Sequence, residues 1–170
     1  MSSMLEAGTN MPEISLPKVG GGTIQLGGSG RWQLIIVYRG KHCPLCNKYL
    51  TRLQELKSDY DAANIEVVAV STDPREKAET LASALGLDVP VGYDISIAQA
   101  RDLGLYISNP RTPEETDAPY AEPGTFLVNS DGHLQIIDIS NAPFSRPDLA
   151  ALLRGITYIR EKGYPIRGNA

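Results

Sequence analysis

From Trp32 to Tyr38 the chain reads Trp-Gln-Leu-Ile-Ile-Val-Tyr, a nearly unbroken apolar, β-branched run of the kind that forms a strand buried on both faces. The period then changes. Tyr49, Leu50, Leu53, Leu56 and Tyr60 recur three or four apart, along one face of a helix expected to end near residues 62–64. Glu66-Val67-Val68-Ala69-Val70-Ser71 reads as a second buried strand. Asp73-Pro74-Arg75-Glu76 has the makings of a helix start, with Asp73 as the cap and Pro74 opening the first turn, and the helix is expected to stop at Gly86. Val89–Tyr93 is a short extended piece whose Pro90 suggests a sheet edge, and Ser96–Leu103 a short helix ended by Gly104.

The second half closes the pattern. Thr125–Asn129 and Leu134–Asp138 flank Ser130-Asp131-Gly132 and predict a hairpin. Ser145-Arg146-Pro147-Asp148 opens a last helix carrying Leu149, Leu152, Leu153, Ile156 and Ile159, closed by Gly163. Ahead of the first buried strand, Ile14, Leu16, Val19, Ile24 and Leu26 surround three glycines and suggest a small N-terminal hairpin. Residues 1–11 carry no pattern and are expected to be a loose terminus. Residues 108–121 hold three prolines among polar residues and predict a long loop. An order β-α-β-α, then a hairpin and a closing helix, implies one α/β domain with a mixed central sheet and helices on both faces.

Composition narrows the function classes. The 170 residues carry a net charge of −4, with 42% hydrophobic and 21% charged residues, which is ordinary for one globular domain. That balance gives no reason to expect a nucleic-acid or membrane partner, and the N-terminal residues lack the charged and apolar regions of a signal peptide. A cytoplasmic location is the expectation, with any thiols held reduced at rest.

The chemistry concentrates in Tyr38-Arg39-Gly40-Lys41-His42-Cys43-Pro44-Leu45-Cys46, which contains both cysteines of the chain at a strand-to-helix junction. Pro44 suits the first helical turn, which makes Cys43 the N-cap. A Cys43 thiolate would face unpaired backbone N–H groups and the positive end of the helix dipole. Arg39, Lys41 and His42 would add positive charge beside it, so Cys43 is the expected nucleophile. Cys46, one turn further, is the expected resolving thiol. A zinc site would need more ligands than His42 and His133 supply at these spacings, and a disulfide closing so short a loop would add little stability.

With these residues in hand, the chain resembles the thioredoxin fold. Its N-terminal hairpin and extra strand–helix unit at residues 66–104 resemble the peroxiredoxin branch, the alkyl hydroperoxide reductase and thiol-specific antioxidant superfamily. Tyr38-Arg39-Gly40-x-x-Cys43-Pro44-x-Cys46-Asn47 is similar to the signature of peroxiredoxin-like proteins that carry Cys-x-x-Cys. The resemblance implies a thiol–disulfide oxidoreductase that reduces disulfides or peroxides without a metal or organic cofactor and is restored by a thioredoxin-like dithiol donor. A thiol peroxidase working through a Cys43 sulfenic acid and a non-catalytic redox sensor are the alternatives, and a homodimer is compatible with either. It further implies substrate-positioning roles for Arg39, Gly40, Pro44 and Pro123, with Pro123 in the place of a cis proline lying against the dithiol. Typical members carry a hydroxyl residue where Gly40 stands, and an Arg in the region of Pro123. Their absence predicts that disulfide exchange outpaces peroxide reduction, and that a Thr at position 40 would raise the peroxide rate if Arg39 already supplies the cation.

Overall fold

The computed structural model describes residues 4–170. Two short strands, β1 (Ile14–Pro17) and β2 (Thr23–Leu26), pair antiparallel as the expected N-terminal hairpin. The central sheet is built on β3 (Trp32–Val37), which leads into helix α1 (Pro44–Ala62). There follow β4 (Ile65–Val70), α2 (Arg75–Leu85), β5 (Val91–Gly92) and α3 (Ile97–Asp102). A two-residue pair, β6 (Ile107–Ser108) with β7 (Tyr120–Ala121), precedes β8 (Gly124–Val128), β9 (Leu134–Ile139) and the closing helix α4 (Leu149–Lys162). The five-stranded sheet has the order β5-β4-β3-β8-β9. β3 runs parallel to β4 and antiparallel to β8, and β8 antiparallel to β9, so the sheet is mixed.

Strand β3 is covered on both faces, as its apolar run requires. Ile35 and Val37 face a core shared with Leu16, Ile24, Val68, Val70, Leu103 and Phe126. Leu34 and Ile36 face the other, formed with Leu50, Leu53, Tyr60, Val67, Leu127 and Ile156. The second core clamps α1 to the sheet and α4 to α1. Tyr60 completes it by donating its hydroxyl to the Leu149 carbonyl (2.7 Å). The two cores hold the strand-to-helix junction after β3 from both sides.

Three expectations are corrected. The N-terminal segment is not loose over residues 8–11. Gly8 N–H bonds the Leu134 carbonyl (2.8 Å), Met11 N–H bonds the Gly132 carbonyl (3.0 Å), and Met11 is buried against the sheet. Residues 1–3 of that expected terminus lie outside the described residues. Asp73 does not cap α2: Pro74 is the N-cap and no side chain caps the helix, because the Asp73 carboxylate is engaged elsewhere. The stretch 108–121 is not wholly loop, since its ends pair as β6 and β7 and pin the excursion beside the sheet. Among the described residues, no helix is long and apolar enough to cross a membrane.

Candidate active site

Register places the site. In the parallel pair Val37 stands opposite Val70, and continuing that offset past the strand ends brings Gly40 to Asp73. In the antiparallel pair Val37 stands opposite Gly124, and the same continuation brings Arg39 to Glu122. Both meetings occur. The Asp73 carboxylate accepts the Lys41 N–H at 2.7 Å, and Arg39 Nε lies 3.0 Å from Glu122 Oε2. Glu122, almost fully buried, is itself fixed by the Ser108 hydroxyl, which donates to Oε1 at 2.7 Å.

Cys43 is the N-cap of α1 and Pro44 its first residue, as the sequence predicts. The Cys43 sulfur accepts the backbone N–H of Cys46 at 3.3 Å, and Arg39 Nη1 lies 3.7 Å from it. No acidic residue occupies the first turn of α1, so nothing there opposes an anion at the cap. The Arg39 Nη2 donates to the Tyr120 hydroxyl at 2.6 Å, which in turn donates to Glu115 at 2.7 Å. Glu115 also pairs with Arg111. The His42 ring packs edge-on against Tyr120, with centroids 4.5 Å apart. Cys43 is only 1% exposed, and the Arg39 and His42 beside it in the chain are both held by Tyr120 at the end of the proline-rich excursion.

The two thiols are reduced and are pushed in opposite directions. Cys43 is held well below the ordinary thiol range, first by the hydrogen bond from the Cys46 thiol, then by the Cys46 N–H and the Arg39 guanidinium, against the opposing effect of burial. Cys46, fully buried, is pushed up by the bond it gives to Cys43 and by burial. Its sulfur has a cation of its own. Arg146, from the loop between β9 and α4, places Nη1 3.4 Å from it while its guanidinium stacks over Tyr49 at 4.3 Å. His42 does not add to the positive charge. Burial, followed by the neighbouring Arg39, lowers its pKa and favours the neutral ring at pH 7.

The structure therefore brings Arg39, Gly40, Cys43, Pro44 and Cys46 together and corrects the reading of two site residues. No peptide bond among the described residues is cis, so the bond preceding Pro123 is trans. The Pro123 carbonyl accepts the Ser140 N–H at 3.1 Å, which ties this residue to the end of β9. Gly40 adopts φ +145°, and a Cβ built on it would lie 2.7 Å from Asp73 Oδ1 and 3.0 Å from His42 Nδ1. A Thr at position 40 would collide with the carboxylate that holds the loop, so this glycine is a packing requirement. Tyr120, Glu122, Asp73 and Arg146 belong to the site and escaped sequence reasoning. The one available signal was an isolated acidic residue, Glu122, at the threshold of a buried strand.

Comparison with known proteins bears on the family and the fold. The AhpC/TSA family model matches residues 7–137, most of the chain. The chain is 25% identical over 136 residues to a Mycobacterium tuberculosis protein that carries the provisional name of peroxiredoxin, covering 79% of this chain and 85% of that protein. Among solved structures, a peroxiredoxin-like protein from Aquifex aeolicus superposes with a TM-score of 0.77 at 15% identity, over 92% of this chain and 89% of the other. Peroxidoxin BcpB from M. tuberculosis does so with a TM-score of 0.71 at 22% identity, over 91% and 99%. The fold is thus the thioredoxin-like architecture of peroxiredoxins, built on a mixed central sheet. The chain belongs to the AhpC/TSA family and is an enzyme of the thiol-dependent peroxidase and oxidoreductase class.

Proposed function

We propose that Cys43 reduces a hydroperoxide and that Cys46 closes the product to an intramolecular disulfide. The observation that carries this reading is a buried Cys43 sulfur with the Arg39 guanidinium beside it, oriented by Glu122 and Tyr120. The Cys43 thiolate attacks one peroxide oxygen and the O–O bond breaks. Cys43 becomes a sulfenic acid, and the second oxygen leaves as hydroxide or alkoxide and takes a proton. Charge grows on that oxygen as the bond stretches, and Arg39 is the donor placed to stabilise it. This residue supplies the cation that the family pattern would have near Pro123. Cys46 then attacks the sulfenic sulfur and water leaves. A dithiol donor restores both thiols.

Disulfide exchange at the same pair is the second reading. It is favoured by the Cys43-Pro44-Leu45-Cys46 spacing and by Leu45, which at 40% exposure presents an apolar surface beside the thiols. With Cys43 1% exposed and Arg39 against its sulfur, a bulky disulfide would have to displace neighbouring side chains to reach it. The discriminating experiment measures hydrogen peroxide consumption and insulin-disulfide reduction with one reductant. Faster peroxide turnover is expected, and turnover of insulin alone would overturn the reading.

A further inference from the structure

We propose that Arg146 is a catalytic residue of the second half-reaction, the cation that activates Cys46 once Cys43 has been oxidised. The inference rests on the peroxide reading above and concerns the thiol which that reading leaves unexplained. Cys46 is fully buried, yet it must become a nucleophile. A buried thiol with no compensating charge stays protonated and inert. Arg146 Nη1 lies 3.4 Å from the Cys46 sulfur, and among the described residues no salt bridge to a carboxylate competes for it. Its position is built. The guanidinium stacks on Tyr49, and the Tyr49 hydroxyl donates at 2.6 Å to the carbonyl of Pro147, the next residue along. The arginine is therefore tied to α1 from both its side chain and its backbone.

Each sulfur accordingly has its own cation, Arg39 for Cys43 and Arg146 for Cys46, and the two are used in turn. In the reduced state Cys46 spends its proton on Cys43. The groups facing Cys46 are Cys43 at the N-cap of α1, the Tyr38 phenol just past the end of β3, the backbone of Arg39 and Arg146 from the β9–α4 loop. Tyr49, Asp138 and Asp148 lie further round on the Arg146 side. Conversion of Cys43 to a neutral sulfenic acid removes both the thiolate that accepts this proton and the like charge that opposes a second thiolate. Burial and Arg146 are then the main opposing influences on Cys46, so the cation acts at the moment resolution is due. The step is balanced: the Cys46 S–H proton and the Cys43 hydroxyl leave as water. The Cys43 S–O bond breaks as the S–S bond forms, and Cys46 is oxidised as the sulfenic sulfur is reduced.

The test is a single turnover with one equivalent of hydrogen peroxide, quenched with dimedone and resolved by mass spectrometry into sulfenic acid and disulfide. It compares the unmodified protein with Arg146→Met and Arg146→Lys across pH. For Arg146→Met, the expected result is disulfide formation slowed about tenfold or more, with its pH inflection moved upward, while appearance of the sulfenic acid changes far less. Arg146→Lys keeps the cation and should recover part of the rate and return the inflection toward that of the unmodified protein. Normal sulfenic acid formation followed by equally fast resolution in Arg146→Met would overturn the proposal. Equal slowing of both phases, or a lysine variant no better than methionine, would also overturn it, since each would mark Arg146 as a packing residue. Absence of any sulfenic acid or disulfide in the unmodified protein would overturn the peroxide reading itself, which distinguishes the two failures.

Discussion

At Cys43 one sulfur accepts from a backbone N–H and the neighbouring thiol, with an arginine beside it, and these favour its anion against the cost of burial. Its alkylation should therefore fall off with acid at a pH well below the ~8.5 of a free thiol, and Cys46→Ala should move that inflection upward by removing the largest contribution. A rate profile with iodoacetamide measures both, and a free-thiol inflection in the unmodified protein contradicts the assignment. Cys43→Ser should abolish turnover. Cys46→Ser should instead accumulate a Cys43 sulfenic acid that dimedone captures. At Gly40, replacement by Thr should lower stability and activity together. Thermal melting checks this, and a faster, equally stable variant would show that Asp73 moves aside at no cost. These residues differ in legibility. Both thiols and Arg39 could be read from a nine-residue stretch, because a cap, a helix-opening proline and a cation act locally. The role of Gly40 could not, since the atom that forbids a side chain there belongs to Asp73.

The elements around the site are held by contacts between strand ends, and their sequence signals are correspondingly uneven. β3, α1 and the β8–β9 hairpin were visible because period and turn chemistry are local properties. The meeting of Arg39 with Glu122 and of Gly40 with Asp73 depends on how β3 registers against β8 and β4, which no single segment encodes. Asp73 illustrates the cost of reading locally. It stands where a helix cap should, but its carboxylate reaches across to the Lys41 N–H. Asp73→Ala should therefore leave α2 intact by circular dichroism while loosening the loop before Cys43, with a loss of about 1–2 kcal/mol of stability. A melted α2 would restore the capping role. Glu122→Gln should reduce the peroxide rate about tenfold by loosening Arg39, since a neutral amide replaces a charge-assisted partner. Single-turnover rates would measure it, and an unchanged rate would mean that Tyr120 alone holds the guanidinium.

For the whole molecule, the depressed Cys43 pKa links folding to pH. A thiolate favoured in the fold and not in the unfolded chain adds stability that is fully present above the unfolded value of ~8.5 and is lost as pH falls through the lower folded value. The reduced protein should gain stability relative to Cys43→Ser as pH rises across that window. Denaturant midpoints at several pH values measure the difference, and a flat difference would contradict the shift. The same preference stabilises the dithiol over the disulfide and makes the oxidised pair the better oxidant. What unites residue, strand register and chemistry is the claim that Arg39, held by Glu122 and Tyr120, does for Cys43 what the family pattern assigns to residues this chain lacks. The most direct measurement is the second-order rate of Cys43 oxidation by hydrogen peroxide in the unmodified protein and in Arg39→Met, at a pH where Cys43 is a thiolate in both. The account predicts a loss of about 10²-fold in the variant. Equal rates, or an unmodified protein that reacts no faster than a free thiolate, would contradict it.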